Sequence, residues 1–390
     1  MREILQSFRV AYDYPVVFTR NAFSPSNCTL TGVLARGGAP PQRILPVIDA
    51  GLLAADPGLP DRIESWAARS DLQLELIREP LIVRGGEICK RDPKEVREFH
   101  DLVAKHSLCR HSYALVIGGG AVLDAMGYAA ATAHRGIRLI RMPSTSLAQN
   151  DAGIGVKNAV YFAGRKNFLG TFAPPFAVVN DFALLDSLDE RDLCAGSAEA
   201  IKVSLIRDAD FFRSLYEARH ALARFDAPAM ESMIVRCAEL HLEHIQTSGD
   251  PFELGSARPL DFGHWAAHKL EELTGGSLRH GEAVAIGIAI DSLYSRRAGM
   301  IAEEELEQIL ALLEEVGFDL YHPALRTLEV ERALSEFREH LGGKLCITLL
   351  KGIGSGIEVD HIDLPLMKSC VESLAQRSPR DRSPAAARGR

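Results

Sequence analysis

The sequence predicts an α/β domain followed by an all-α one. Residues 1–188 form the α/β domain, 189–375 a mainly helical domain, and 376–390 a disordered basic tail. Three observations carry this prediction. A chain of 390 residues is longer than one ordinary hydrophobic core. Up to about residue 190, short apolar runs bounded by Gly or Pro alternate with amphipathic segments, as in buried parallel strands joined by crossover helices. From about Asp189 onward, long segments of helical periodicity replace them.

In chain order, RILPVIDAGL, LELIREPLIV, YALVIGGG, IRLIRMP and FAVVNDF read as strands. VAYDYPVVFTRNAF with CTLTGVL reads as an added hairpin. LCAGSAEAIKVSLI, MESMIVRCAELHLEHI, HWAAHKLEEL, GEAVAIGIAIDSLYSRRAGM and AEEELEQILALLEEVG then read as helices. The tail QRSPRDRSPAAARGR has no apolar periodicity with which to join a core.

Composition narrows the class. Hydrophobic residues at 47% and charged residues at 25% are those of a soluble globular protein. A net charge of −8 argues against a nucleic-acid or membrane-surface partner. MREILQSFRVAYDYP lacks the long apolar run of a secretory signal, and ALVIGGGAVLDAMGYAAATA is broken by Asp124 and glycines, so no membrane span is expected. Seven cysteines without a CxxC pair read as reduced thiols of a cytoplasmic protein.

Several segments carry chemistry. In VIGGGAVLD, Gly118, Gly119 and Gly120 follow a strand and open a helix, where backbone amides and the helix dipole suit a pyrophosphate; the spacing is not GxGxxG. Asp49 ends the strand LPVID, where it serves either a ribose or the cap of the next helix. Glu87 and Lys90 in GGEICK are an i, i+3 pair that a surface ion pair would also explain. Asp151, Lys157, Lys166 and Asn167 lie on glycine-punctuated loops suited to a phosphorylated small molecule. Glu199 and Lys202 share one face of an otherwise small and apolar helix, so the carboxylate needs a partner or an ion. His264 and His268 are four apart in GHWAAH, and His280 opens another apolar helix. Glu199, His264 and His280 make a donor set for a Zn²⁺-type ion, against the alternative of ordinary core histidines.

Taken together, GGEICK, GGGAVLDAMG, RGI, PSTSLAQNDAGIGVK, KNFLGTF, CAGSAEAIK, GHWAAH and HGEAVAIG resemble the sugar phosphate cyclase family, whose familiar member is 3-dehydroquinate synthase. The resemblance runs from about Ile44 to Gly356. It implies a dehydroquinate synthase-like fold, with a Rossmann-like NAD-binding domain and a helical metal-binding domain, and a homodimer. Glu199, His264 and His280 fall on the family's ligands for zinc or cobalt. Asp49, Glu87, Lys90, Gly118, Gly119, Gly120, Asp124, Ser144, Thr145, Asp151, Lys166 and Ser187 fall on NAD-binding positions. Asp151, Lys157, Lys202 and His268 fall on catalytic positions. Arg135, Lys157, Lys166, Asn167, Lys202, Arg258, Asp261 and His268 are the expected substrate contacts, Arg135 reaching across the dimer. The implied reaction is a transient oxidation of a ring hydroxyl by NAD⁺, phosphate elimination, return of the hydride, ring opening and intramolecular aldol closure.

Departures from the pattern bear on substrate. Where dehydroquinate synthases place an arginine, an asparagine and an upstream lysine beside a substrate carboxylate, this chain reads Ala257, Asp261 and Glu243. Two acids there suit a neutral polyol end. GDPFELGSARPLDFGHW looks like the sedoheptulose 7-phosphate cyclases, of the 2-epi-valiolone or 2-epi-5-epi-valiolone type. The alternatives are 3-dehydroquinate synthase itself and an NAD- and metal-dependent alcohol dehydrogenase. Net NADH accumulation would mark the dehydrogenase.

Overall fold

The computed structural model describes residues 2–38, 41–69, 73–247, 252, 260–340 and 345–376. Ala257, Arg258 and the tail 377–390 lie outside the described residues; Gln376 is the last residue of a helix. The chain divides into two compact units. One comprises 1–144 with 153–187, the other 145–152 with 188–390.

The first unit is built from β1 (Val16–Thr19), α1 (Thr29–Ala35), β2 (Gln42–Asp49), α2 (Ala50–Ala55), α3 (Leu59–Ala67), β3 (Leu74–Leu76), β4 (Leu81–Val83), α4 (Ile88–Arg91), α5 (Lys94–Lys105), β5 (Tyr113–Gly118), α6 (Gly120–Thr132), β6 (Arg138–Pro143), β7 (Lys157–Phe162), β8 (Arg165–Phe172) and β9 (Ala177–Asp181). Its parallel sheet has the order β1-β9-β6-β5-β2-β3, with β4 also paired to β2. Strands β2, β5 and β9 are almost wholly buried. Ile44, Ile48, Leu115, Ile117 and Val179 pack with Trp66 in one apolar cluster. Covering both faces of a parallel sheet is what makes its strands read as continuous apolar runs.

Two expectations are corrected here. VAYDYPVVFTRNAF and CTLTGVL do not pair as a hairpin. Val16–Thr19 adds in parallel to Val178–Asp181 at the sheet edge, and Thr29–Ala35 is helical. Leu30, Val33 and Leu34 are its buried residues, an i, i+3, i+4 set that favours a helix over a strand. Conversely, the segment read as loops after Asp151 contains the antiparallel pair β7–β8. Arg141, fully buried on β6, bonds the carbonyls of Gly153 (3.1 Å), Gly155 (2.7 Å) and Lys157 (3.0 Å), and Asn158 Oδ1 (2.6 Å). One guanidinium thereby satisfies the backbone of a turn that has no ladder of its own.

The second unit contains a π-helical turn (Ala148–Ala152), α7 (Glu190–Arg207), α8 (Ala209–Leu222), α9 (Ala227–Thr247), α10 (His264–Leu273), α11 (His280–Arg297), α12 (Glu303–Glu315), α13 (Val330–His340), an antiparallel pair β10 (Ile347–Gly352) and β11 (Ser355–Val359), and α14 (Leu364–Gln376). Its helices pack very closely. A Cβ on Gly281 of α11 would lie 2.6 Å from the Ala195 carbonyl oxygen of α7, so only glycine permits that approach. Among the described residues, no helix is long and apolar enough to cross a membrane.

Candidate active site

In the second unit, three helices deliver one cluster. Glu199 of α7, His264 at the start of α10 and His280 at the start of α11 bring their ligand atoms within 4.8 Å of one another. Glu199 is fully buried, and its Oε1 makes no hydrogen bond among the described residues. The two imidazole Nε2 atoms stand 3.9 Å (His264) and 3.6 Å (His280) from it. Those gaps are too long for hydrogen bonds. They approach the ~3.4 Å edge between ligands held about 2.1 Å from a tetrahedral ion. The other ring nitrogens are engaged, His264 Nδ1 with the Phe262 carbonyl (3.1 Å) and His280 Nδ1 with Glu271 Oε1 (3.1 Å). That arrangement aims both Nε2 atoms inward, as metal-binding histidines require.

The electrostatics fit a cation. Burial pushes Glu199 up, but Lys202, His280 and His264 outweigh it and hold the carboxyl well below its usual range. Burial and then the Lys202 charge push His264 well down, which leaves a neutral imidazole. His280 is pushed down by burial but carried up to about 10 by Glu199 and Glu271, the same carboxylates that would stabilise a bound cation. Lys202 contacts Glu199 Oε2. Burial opposes its charge, while Glu199, Asp151 and Asp261 raise its pKa.

Around this core stand the other expected residues. Asp151, in the π-helical turn, lies 3.2 Å from His241 Nε2, and Asp151, Glu199 and His241 form a second close group. His268 stacks beside His280, ring centroids 6.4 Å apart. Thr145 Oγ1 accepts from the Ala148 amide (3.1 Å). On α9, Glu243 is exposed, and the side chain that enters the cluster is His241. Two residues along a helix is a rotation of about 200°, so the two cannot share a face. His241 was legible, since it continues the buried stripe Met230, Ile234, Cys237.

The first unit holds the remaining candidates. Gly118 ends β5, and Gly119 precedes α6, whose first turn has no side-chain cap and no acidic residue. This leaves amide donors for an anion. A Cβ on Gly118 would meet Val122 Cγ1 at 2.7 Å and Asp49 Cβ at 3.3 Å. Asp49 caps α2 through Gly51 N (2.7 Å), and its oxygens lie where a Cβ on Gly85 would stand. Glu87 and Lys90 do not pair with each other. Buried Lys90 bonds Asp124 (2.7 Å), and Glu87 faces Lys166 across 3.7 Å. An i, i+3 pair lost here because burial of Lys90 demands a closer carboxylate. Asp124 is pushed up by burial against the pull of Lys90. Ser144 donates its amide to the Gly118 carbonyl (3.0 Å), and Ser187 Oγ donates to the Leu184 carbonyl (3.1 Å). Lys157 begins β7, Lys166 and left-handed Asn167 (φ 54°) lie on β8, and Arg135 is exposed at a left-handed turn (φ 65°).

Comparison with known proteins identifies the family. The family models described as 3-dehydroquinate synthase N-terminal and C-terminal match residues 80–195 and 196–339. A 2-epi-5-epi-valiolone synthase of Streptomyces glaucescens is 35% identical over 70% of this chain and 72% of its own length. A 3-dehydroquinate synthase of Nitrosospira multiformis is 34% identical over 76% of this chain and 80% of its own. Among solved structures, ValA, a 2-epi-5-epi-valiolone synthase from Streptomyces hygroscopicus with NAD⁺ and Zn²⁺ bound, superposes with a TM-score of 0.84 at 27% identity, covering 96% of this chain and all of that one. With two family models spanning residues 80–339 and the fold so matched, the chain belongs to the 3-dehydroquinate synthase family of sugar phosphate cyclases.

Proposed function

We propose that this cyclase converts sedoheptulose 7-phosphate to a C7 cyclitol of the 2-epi-valiolone type with loss of phosphate, using NAD and a divalent zinc or cobalt ion. Glu199, His264 and His280 would hold the ion, and the turn Gly118–Gly120 with Asp49, Lys90 and Asp124 would hold NAD. Bound there, the two groups would acidify a substrate hydroxyl and accept its hydride. Lys157, Lys166 and Asn167 are assigned to the phosphate, with His268 as a further donor to its departing charge. Lys202, held cationic by three carboxylates, is a fixed donor that orients a hydroxyl or an enolate oxygen. Exposed Phe162, Phe168 and Phe172 on the β7–β8 hairpin support a homodimer.

The observation that carries the substrate choice is Asp261. With Asp151 and Glu199 it already places three acids around one ammonium. A substrate carboxylate would add a fourth acid, at a cost on the order of several kcal/mol, whereas polyol hydroxyls donate to these oxygens. The test is phosphate release from sedoheptulose 7-phosphate beside the carboxylated seven-carbon precursor of dehydroquinate, each with NAD⁺ and Co²⁺. Turnover of the first alone is expected, and turnover of the carboxylated precursor alone overturns the reading.

A further inference from the structure

Helix α11 does more than present His280. Eleven residues further on lies Asp291, fully buried. Eleven residues are three helical turns with about 20° left over, so His280 and Asp291 lie on one face of α11. Asp291 bonds the residues on either side of His264. Its Oδ2 accepts from the Gly263 amide (2.9 Å) and its Oδ1 from Trp265 Nε1 (2.8 Å).

The turn it grips has little freedom. Gly263 is left-handed (φ 77°), and a Cβ there would stand 2.6 Å from the Ile288 amide nitrogen. On the facing helix, a Cβ on Gly287 would stand 2.0 Å from the Gly263 carbonyl oxygen. Backbone therefore touches backbone between the start of α10 and the middle of α11. The two hydrogen bonds of Asp291 fix which way the next residue, His264, leaves that contact. A buried carboxylate needs such donors, and here each donor flanks a residue of the cluster.

We infer that Asp291, on the same helix that supplies His280, is a positioning residue for the metal centre, clamping Gly263 and Trp265 so that His264 meets the ion. The inference rests on the reading of Glu199, His264 and His280 as ligands. Asn is the informative replacement. Its oxygen can keep one N–H donor, but its amide must face the other, so one arm of the clamp opens at nearly constant volume.

The test uses the full chain freed of metal and reloaded with Co²⁺ at pH 8, with affinity read by chelator competition and ligand geometry by the visible Co²⁺ spectrum. For Asp291→Asn, affinity is expected to fall about tenfold or more and the spectrum to change, while unfolding of the metal-free protein stays cooperative. Trp265→Phe removes a single donor and guards against a misfolded Asn variant; a smaller loss, of several-fold, is expected. Folded variants with unchanged affinity and spectrum overturn the inference. Wild-type protein and His264→Ala binding Co²⁺ equally well would overturn the ligand reading instead, so the two failures are distinguishable.

Discussion

The candidate sites of the two units are built by different physical means. In the first, the β5–α6 turn works through main chain: glycines that let atoms approach, and uncapped amides at a helix start. In the second, the cluster works through side-chain charge buried to near completion, with Glu199, Lys202 and His264 all less than a tenth exposed. A backbone site tolerates changes that keep its shape, whereas a buried charge cluster fails when one member leaves and strands the others. The largest predicted effect follows. His264→Ala should lower turnover by at least about a thousandfold and abolish stoichiometric metal, with secondary structure retained. Metal analysis and phosphate release check it, and retained metal would remove His264 from the ligand set.

The reciprocal change belongs to the first unit. Gly118→Ala places a methyl 2.7 Å from Val122 Cγ1 and must shift the start of α6. Overpacking of this kind costs about 1–3 kcal/mol, so NAD⁺ affinity should fall about tenfold or more. Co²⁺ affinity should not move. Loss of both together would mean that the contrast between the units is false.

Glu271→Gln tests how far the charge logic extends beyond the three proposed ligands. Its carboxylate orients His280 through Nδ1 at 3.1 Å. The amide keeps an acceptor and loses the charge, so metal affinity should weaken by about tenfold, less than for His264→Ala. A chelator competition assay separates that value from no effect.

The same contrast governs what the sequence could reveal. Gly118–Gly120 were readable because the turn is contiguous and its chemistry is local. Glu199, His264 and His280 were individually conspicuous, as polar groups on apolar helices, but their meeting depends on packing between α7, α10 and α11. His241 and Glu243 are two residues apart on α9, and only burial decided which one faces the cluster. The β7–β8 hairpin was hidden for the opposite reason. Strand β8 is exposed along nearly its whole length, so it has no alternation to read. The pairing of Lys90 with Asp124 spans 34 residues and leaves no local trace.

Asp291 places the contrast on a pH axis. Burial lifts its carboxyl to about 7 from 3.8, with only the Trp265 and Gly263 donors pulling the other way. The folded chain thus holds this proton more tightly than the unfolded chain does. Its contribution to stability is complete below about pH 4 and is lost as pH rises through 7, by up to roughly 1.4 kcal/mol per unit within that window. Asn cannot titrate. The difference in unfolding free energy between the metal-free wild type and Asp291→Asn should therefore grow in favour of the wild type between pH 8 and pH 5. Urea unfolding at the two pH values measures it. An equal difference at both would mean that Asp291 stays ionised throughout, its charge carried by the two donors alone.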